Sequence, residues 1–155
     1  MTRKQTTLTV ITKDGKLLLG KKKRGYAEGV WNGYGGKVEK GETPEQSMVR
    51  ELVEESALTS RRHEKVAYIE FANDIDDYIT ECHIYMVLDY EGEPLETEEM
   101  YPKWFEIDRL PFSEMWPDDQ HWLPLVLQGK KVKGHFVIKN HKVIEQFELS
   151  EVDSF

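Results

Sequence analysis

Residues 7–12 and 16–22 are two apolar runs separated by Asp14-Gly15. That dipeptide suits a two-residue hairpin because both positions tolerate positive φ, so the pattern predicts two antiparallel strands. The period then changes. Met48 with Leu52 and Val49 with Val53 stand at i, i+4 spacing beside a strongly acidic face, which predicts an amphipathic helix over 44–57. Thr43 is placed as its N-cap, Pro44 at its first position and Gln46 to complete a capping box. Strand-like runs rich in Tyr, Ile, Val and Phe return at 65–72 and 78–90, the second stopping at the turn-prone EGEP, with a further short strand expected at KWFEI. PDDQHWLPLVLQ predicts a second helix opened by Asp118 or Asp119 and kinked or shortened at Pro124, which lacks an N–H and crowds the preceding turn. GHFVIK and KVIEQFEL predict a last hairpin around Asn140-His141. Strands, helix, strands, helix, strands, without repeat or linker, give an α/β (α+β) sandwich with a mixed sheet.

The length of 155 residues fits one domain, 1–155, with its own core. No apolar stretch approaches the roughly 18 residues of a membrane span, and the N-terminus has no apolar segment followed by a small-residue cleavage site. The expectation is a cytoplasmic monomer that does not engage a membrane. Cys82, the single cysteine, excludes an internal disulfide framework and a multi-thiolate zinc site. A formal net charge of −8 opposes stable polynucleotide binding, which rests on many cations neutralising phosphates, but leaves room for a small anionic ligand offset by a metal or a local basic cluster. Lys21, Lys22, Lys23 and Arg24 form such a cluster, equally readable as a solvated strand end.

Between 25 and 42 lie six glycines, Gly25, Gly29, Gly33, Gly35, Gly36 and Gly41, which predict a loop rather than a regular element. The helix that follows carries Glu51, Glu54 and Glu55, at spacings that bring three carboxylates to one turn-wide patch. Such a patch is either a water-exposed acidic face or a site for a hard cation, Mg²⁺ or Mn²⁺, bridging to phosphates. GYGGKV is no P-loop, because Lys37 is not followed by Ser or Thr and the spacer does not fit. The five histidines, His63, His83, His121, His135 and His141, lack metal-ligand spacing and read as ordinary surface or core residues.

The span GKVEKGETPEQSMVRELVEESAL, from Gly36 to Leu58, resembles the signature of the Nudix hydrolases, G-x5-E-x7-R-E-U-x-E-E-x-G-U. Gly36, Glu42, Arg50, Glu51, Leu52, Glu54, Glu55 and Leu58 match at the required spacing, and Ala57 departs from it where the signature has Gly. The resemblance implies a Nudix-type α/β/α sandwich and a Mg²⁺-dependent pyrophosphohydrolase. It implies that Glu51, Glu54 and Glu55 ligate metal with the backbone at Gly35 or Gly36, and that Glu42 and Arg50 pair to hold loop and helix in register. Glu99, in the loop TEEM, is a further candidate ligand or general base.

LLLGKKKRG, WNGYGGKVE, EMYPKWF and PFSEMWPDD extend the similarity to the branch of the family that hydrolyses oxidised purine nucleoside triphosphates such as 8-oxo-dGTP and 2-hydroxy-dATP. By that resemblance the base pocket comprises Thr7, Lys22, Asn32, Phe71, Trp116, Asp118, Asp119 and Trp122. Trp116 would stack on a purine, Asn32 would offer a donor and an acceptor, and adjacent aspartates in an apolar site would raise a pKa and keep a proton to donate. Thr80 stands where that branch has a methionine, and Tyr26 where it has a phenylalanine. Without the resemblance, the aromatics read as core and the aspartates as helix caps. Other readings are a Nudix hydrolase of canonical or methylated nucleotides or RNA 5′ ends, and a non-catalytic nucleotide-binding module.

Overall fold

The computed structural model describes residues 2–155. Strands β1 (Thr2–Lys13) and β2 (Lys16–Lys22) are followed by the short β3 (Trp31–Asn32) and β4 (Gly35–Lys37), then helix α1 (Pro44–Ser56). Long strands β5 (Thr59–Asn73) and β6 (Tyr78–Glu91) precede β7 (Met100–Glu106), helix α2 (Asp119–Leu127) and the hairpin β8 (Lys131–Lys139) and β9 (Val143–Val152). The sheet runs β3-β2-β1-β6-β5-β8-β9, with β4 also pairing β1 and β7 pairing β2. It is mixed, as expected: β1 with β6 and β5 with β8 are parallel, and the other pairs antiparallel.

Strand alternation builds the layers. Val10, Leu17 and Leu19 pack with Trp122, Leu123 and Val126 of α2, whereas their neighbours Ile11 and Leu18 pack with Met48 and Leu52 of α1. Successive strand residues point to opposite faces, so the two helices cover opposite sides of the sheet. Met48 and Leu52 are fully buried. Truncating Leu52 to Ala would cost about 2–5 kcal/mol and loosen the helix that carries the acidic face.

Both hairpins form at the predicted dipeptides: Asp14 and Gly15 have φ of 51° and 75°, and Asn140 and His141 have φ of 53° and 57°. Helix α1 starts with the predicted capping box, Gln46 N–H donating to Thr43 Oγ1 at 3.1 Å and Thr43 N–H to Gln46 Oε1 at 2.9 Å. It ends at Ala57, which itself adopts the left-handed conformation (φ 66°, ψ 14°) with its N–H on Val53 O. The chain keeps the open helix end for which the signature uses Gly, at the steric cost a Cβ brings there.

Two expectations change, that of the glycine-rich segment and that of Asp118. The glycine-rich segment is not wholly irregular, because β3 pairs with β2 and β4 pairs with β1 over Thr6–Leu8. That approach is so close that a Cβ on Gly35 would lie 1.9 Å from Thr7 O. Asp118 has helical dihedrals and makes no side-chain cap bond, so it does not cap α2. Helix α2, with Pro124 inside it, is short as expected, nine residues against thirteen in α1. Among the described residues, no helix is long and apolar enough to cross a membrane.

Candidate active site

The acidic face of α1 is organised by Arg50. Its Nε and Nη2 donate to the two oxygens of Glu42 at 3.0 and 2.6 Å, a fork that draws the loop before α1 against the helix. This is the pairing the motif implied. The guanidinium holds the Glu42 carboxyl down to about 2. Arg50 Nη1 also donates to Glu51 Oε1 at 2.8 Å and Glu54 Oε2 at 3.2 Å, and Nη2 to Lys37 O at 3.3 Å.

Glu55 is different. It is largely buried, and its Oε1 accepts the Gly35 N–H at 3.0 Å. Burial, reinforced by the charges of Glu51 and Glu99 and opposed by the Gly35 N–H and Lys22, pushes its carboxyl up to about 7. Burial also raises Glu51, although Arg50 opposes the shift. Glu54 is exposed. A Cβ on Gly36 would sit 2.6 Å from Glu51 Cδ, so the absence of a side chain there is what lets the carboxylate lie against β4.

Glu99 faces this cluster from the 97–99 loop, which Thr97 Oγ1 ties to Glu55 O at 3.4 Å. Its Oε1 accepts from Arg24 Nε at 2.9 Å and Nη2 at 2.7 Å, and Lys22 Nζ stands 3.5 Å from Oε2. Arg24 above all keeps Glu99 below the usual carboxylate range. Lys23 Nζ meets Glu96 Oε2 at 2.5 Å and Thr97 O at 2.9 Å. Lys22, Lys23 and Arg24 of the basic cluster are therefore engaged with the Glu96–Glu99 segment, and Lys21 Nζ lies over the Trp31 ring.

Oxygen-only donors in this setting suit a hard divalent cation. A buried carboxylate with one hydrogen-bond donor, beside two further carboxylates, gains most from a positive charge. Among the described residues, no three acidic, His or Cys side chains already converge on one ion position. Glu51 and Glu54 would turn from Arg50 to join Glu55, leaving Arg50 its fork to Glu42.

On the opposite face of the sheet, Leu8, Thr9, Val10, Asn32, Gly33, Met115, Asp119, Trp122 and neighbouring leucines line a cavity of about 10 Å³. That is room for one water, so a base enters only if the walls part. Of the predicted pocket residues the cavity brings together Asn32, Asp119 and Trp122. Asp118 and Trp116 adjoin it: Trp122 Nε1 donates to Asp118 Oδ2 at 2.8 Å, and Trp116 N–H to Asp119 Oδ2 at 3.2 Å. Both aspartates are buried, and burial raises both carboxyls, Asp119 well above the usual range with the Asp118 charge adding to the shift. Phe71 instead stacks on Phe136 with centroids 5.7 Å apart, packed against the α2-side core. Thr7 is buried with an Oγ1 that has no partner, and lies outside the cavity lining, as does Lys22. Leu8, Thr9 and Met115 were not foreseen. The alternation of β1 could have found Leu8 through Val10, its partner on the same face.

An acidic helix face on one side of the sheet and a narrow cavity with buried acids on the other are joined through β1, β3 and β4. A sequence profile of the NUDIX domain matches residues 1–126, and the chain belongs to the Nudix family of hydrolases. It is 47% identical over 152 residues to the oxidized purine nucleoside triphosphate hydrolase of Danio rerio, covering 98% of this chain and 97% of that protein. It is 45% identical over 149 residues to the enzyme of the same description from Mus musculus, covering 96% of each. The crystal structure of a MutT protein from Bacillus halodurans superposes with a TM-score of 0.84 over 94% of this chain and 97% of that one, at 22% identity, a likeness of fold.

Proposed function

We propose that this chain hydrolyses oxidised purine nucleoside triphosphates, 8-oxo-dGTP foremost and 2-hydroxy-dATP with it, to the monophosphate and pyrophosphate, with Mg²⁺ as cofactor and Mn²⁺ as a substitute. The observation that carries the reading is the buried Asp118-Asp119 pair beside Asn32 and two tryptophans. Burial raises both carboxyls, and a carboxyl in its protonated form donates a hydrogen bond, while Asn32 both donates and accepts. Together they can read the altered edge of an oxidised purine while Trp116 takes its face. A pair that shares a movable proton suits more than one pattern of donors and acceptors on the base.

Glu51, Glu54 and Glu55, with backbone oxygens at Gly35 or Gly36 and with Glu99, are the groups that would hold the metal. A divalent cation there neutralises phosphate charge and acidifies a bound water. Arg50 then serves by position, its fork to Glu42 keeping loop and helix in register. Glu99, outside the helix, would serve as a further ligand or as the general base that takes the proton from the attacking water. Lys22, held by Glu99, is near enough to the acidic cluster to meet substrate phosphates. The whole chain works as one Nudix domain, a cytoplasmic monomer acting on a small nucleotide, its net charge of −8 opposing polynucleotide binding.

The test is a panel of normal and oxidised triphosphates incubated with the protein and Mg²⁺, with the released phosphate species identified. Pyrophosphate release is expected, with kcat/KM for 8-oxo-dGTP at least about tenfold above dGTP, the worth of one discriminating hydrogen bond. Equal kcat/KM for the two, or release of orthophosphate, refutes the reading.

A further inference from the structure

Helix α1 ends in carbonyls that find no partner within the helix, and a loop from farther along the chain covers them. Leu95 N–H donates to Ser56 O at 3.0 Å, and Thr97 Oγ1 donates to Glu55 O at 3.4 Å. Thr97 therefore grips the backbone of the residue whose carboxylate lies buried in the acidic cluster. The same oxygen also serves its own loop. It accepts Glu99 N–H at 3.3 Å and Met100 N–H at 3.2 Å, which closes the turn that carries Glu99. Thr97 N–H donates to Met100 O at 3.0 Å, and Thr97 O accepts from Lys23 Nζ at 2.9 Å, so its backbone is fixed at both ends. Each contact of the Thr97 hydroxyl is long for a hydrogen bond. None alone fixes the loop, but removing the oxygen releases all three together.

The two acids that this oxygen connects oppose each other. The charge of Glu99 is among those that raise the Glu55 carboxyl, and Glu99 itself is held by Arg24 and Lys22. The Arg24 side chain is 60% exposed, so solvent screens its ion pair and it fixes Glu99 weakly. What ties Glu99 to α1 without any charge is the Thr97 hydroxyl, 42 residues along the chain from Glu55. A cation site needs its carboxylates set against their own repulsion before the cation arrives. Groups one step behind the ligands supply that ordering.

We propose that Thr97 is a positioning residue of the acidic site: its hydroxyl, joining Glu55 O to the Glu99 N–H, sets the Glu99 carboxylate against those of α1 so that they address one divalent cation. The inference rests on the reading of Glu99 as a further ligand or general base. Thr97 itself touches neither metal nor nucleotide, so loss of its hydroxyl acts only through Glu99.

The experiment compares wild type with Thr97→Val, Thr97→Ser, Glu99→Gln and the Thr97→Val/Glu99→Gln double variant. Mn²⁺ affinity is read by calorimetry without nucleotide, amide exchange at Glu99 and Met100 in EDTA, and kcat and KM with 8-oxo-dGTP at saturating Mg²⁺. Valine keeps the shape of threonine without the hydroxyl, and serine keeps the hydroxyl. Thr97→Val should speed exchange at both amides about fivefold, the worth of one hydrogen bond. It should also lower whichever quantity Glu99→Gln lowers, Mn²⁺ affinity or kcat, by about tenfold, with KM unchanged. The double variant should be no worse than Glu99→Gln, and Thr97→Ser should restore wild-type values. Wild-type behaviour of Thr97→Val beside an impaired Glu99→Gln overturns the role of Thr97. So do losses that multiply in the double variant, or a Thr97→Ser protein as impaired as Thr97→Val. A silent Glu99→Gln removes the role of Glu99 and that of Thr97 with it. Should Thr97→Val not fold, Thr97→Ala carries the same comparison. Absence of pyrophosphate release beside coupled losses of Mn²⁺ affinity would refute the hydrolase reading and leave Thr97 in its place.

Discussion

Replacing Glu55 by Gln should make the metal-free protein more stable while abolishing its activity. Burial moves the Glu55 carboxyl from 4.5 to about 7. Each unit of such a shift is about 1.4 kcal/mol, so ionising this side chain in the folded protein costs about 3 kcal/mol. The sign follows from the raised value: the stability is fully present below about pH 4.5 and is lost as pH rises through 7. Gln stays neutral throughout and can still accept the Gly35 N–H. Its advantage over Glu should therefore be absent near pH 4.5 and reach about 3 kcal/mol at pH 8 in EDTA. Magnesium should erase that advantage by stabilising only the wild type, and its apparent affinity should fall with each pH unit below 7 as protons compete for Glu55. Urea unfolding of both proteins at pH 5 and pH 8, with EDTA or Mg²⁺, measures each term. Should Glu55→Gln be no more stable than wild type at pH 8 in EDTA, the account of Glu55 as a buried, uncompensated carboxylate is wrong.

Ala57→Gly should raise the unfolding free energy by about 1 kcal/mol and the midpoint of thermal unfolding by a few degrees, because Ala57 holds φ 66° at the end of α1. Tyr34→Phe removes a buried hydroxyl that has no partner and should stabilise by about 1 kcal/mol, read by urea titration. The two adjacent glycines of β4 should separate by phenotype. Gly36→Ala meets only the movable end of Glu51 and should give folded protein with weakened Mn²⁺ binding by calorimetry. Gly35→Ala drives a Cβ into the backbone of Thr7 and should fail to fold, as seen by circular dichroism.

What could be read along the chain divides by how far apart the determining atoms lie in sequence. Helix α1 was legible to its caps because Thr43, Pro44, Gln46 and the Met48–Leu52 stripe act within four residues of one another, and both hairpin turns were legible for the same reason. The segment 25–42 was not. Strands of two and three residues have no period of their own, and β4 exists as a strand only because Thr6–Leu8 of β1 present their backbone to it. The site follows the same rule. Glu42, Arg50, Glu51, Glu54 and Glu55 lie on one helix and the loop before it, so the spacing of the three helix glutamates foretold the acidic face and the resemblance implied the Glu42–Arg50 pair. The pairing of Arg24 with Glu99 joins residues 75 apart and depends on β2 lying beside β7, which no local pattern announces. Asp118 marks the boundary between the two cases. Its position before a helix suggested a cap, but Trp122 four residues on offered an indole N–H inside an apolar layer, and a buried acid gains more from that donor than from an exposed helix end. The same burial that defeats the capping expectation raises the carboxyl and equips it to donate to a base, so the local misreading and the proposed recognition chemistry have one physical cause.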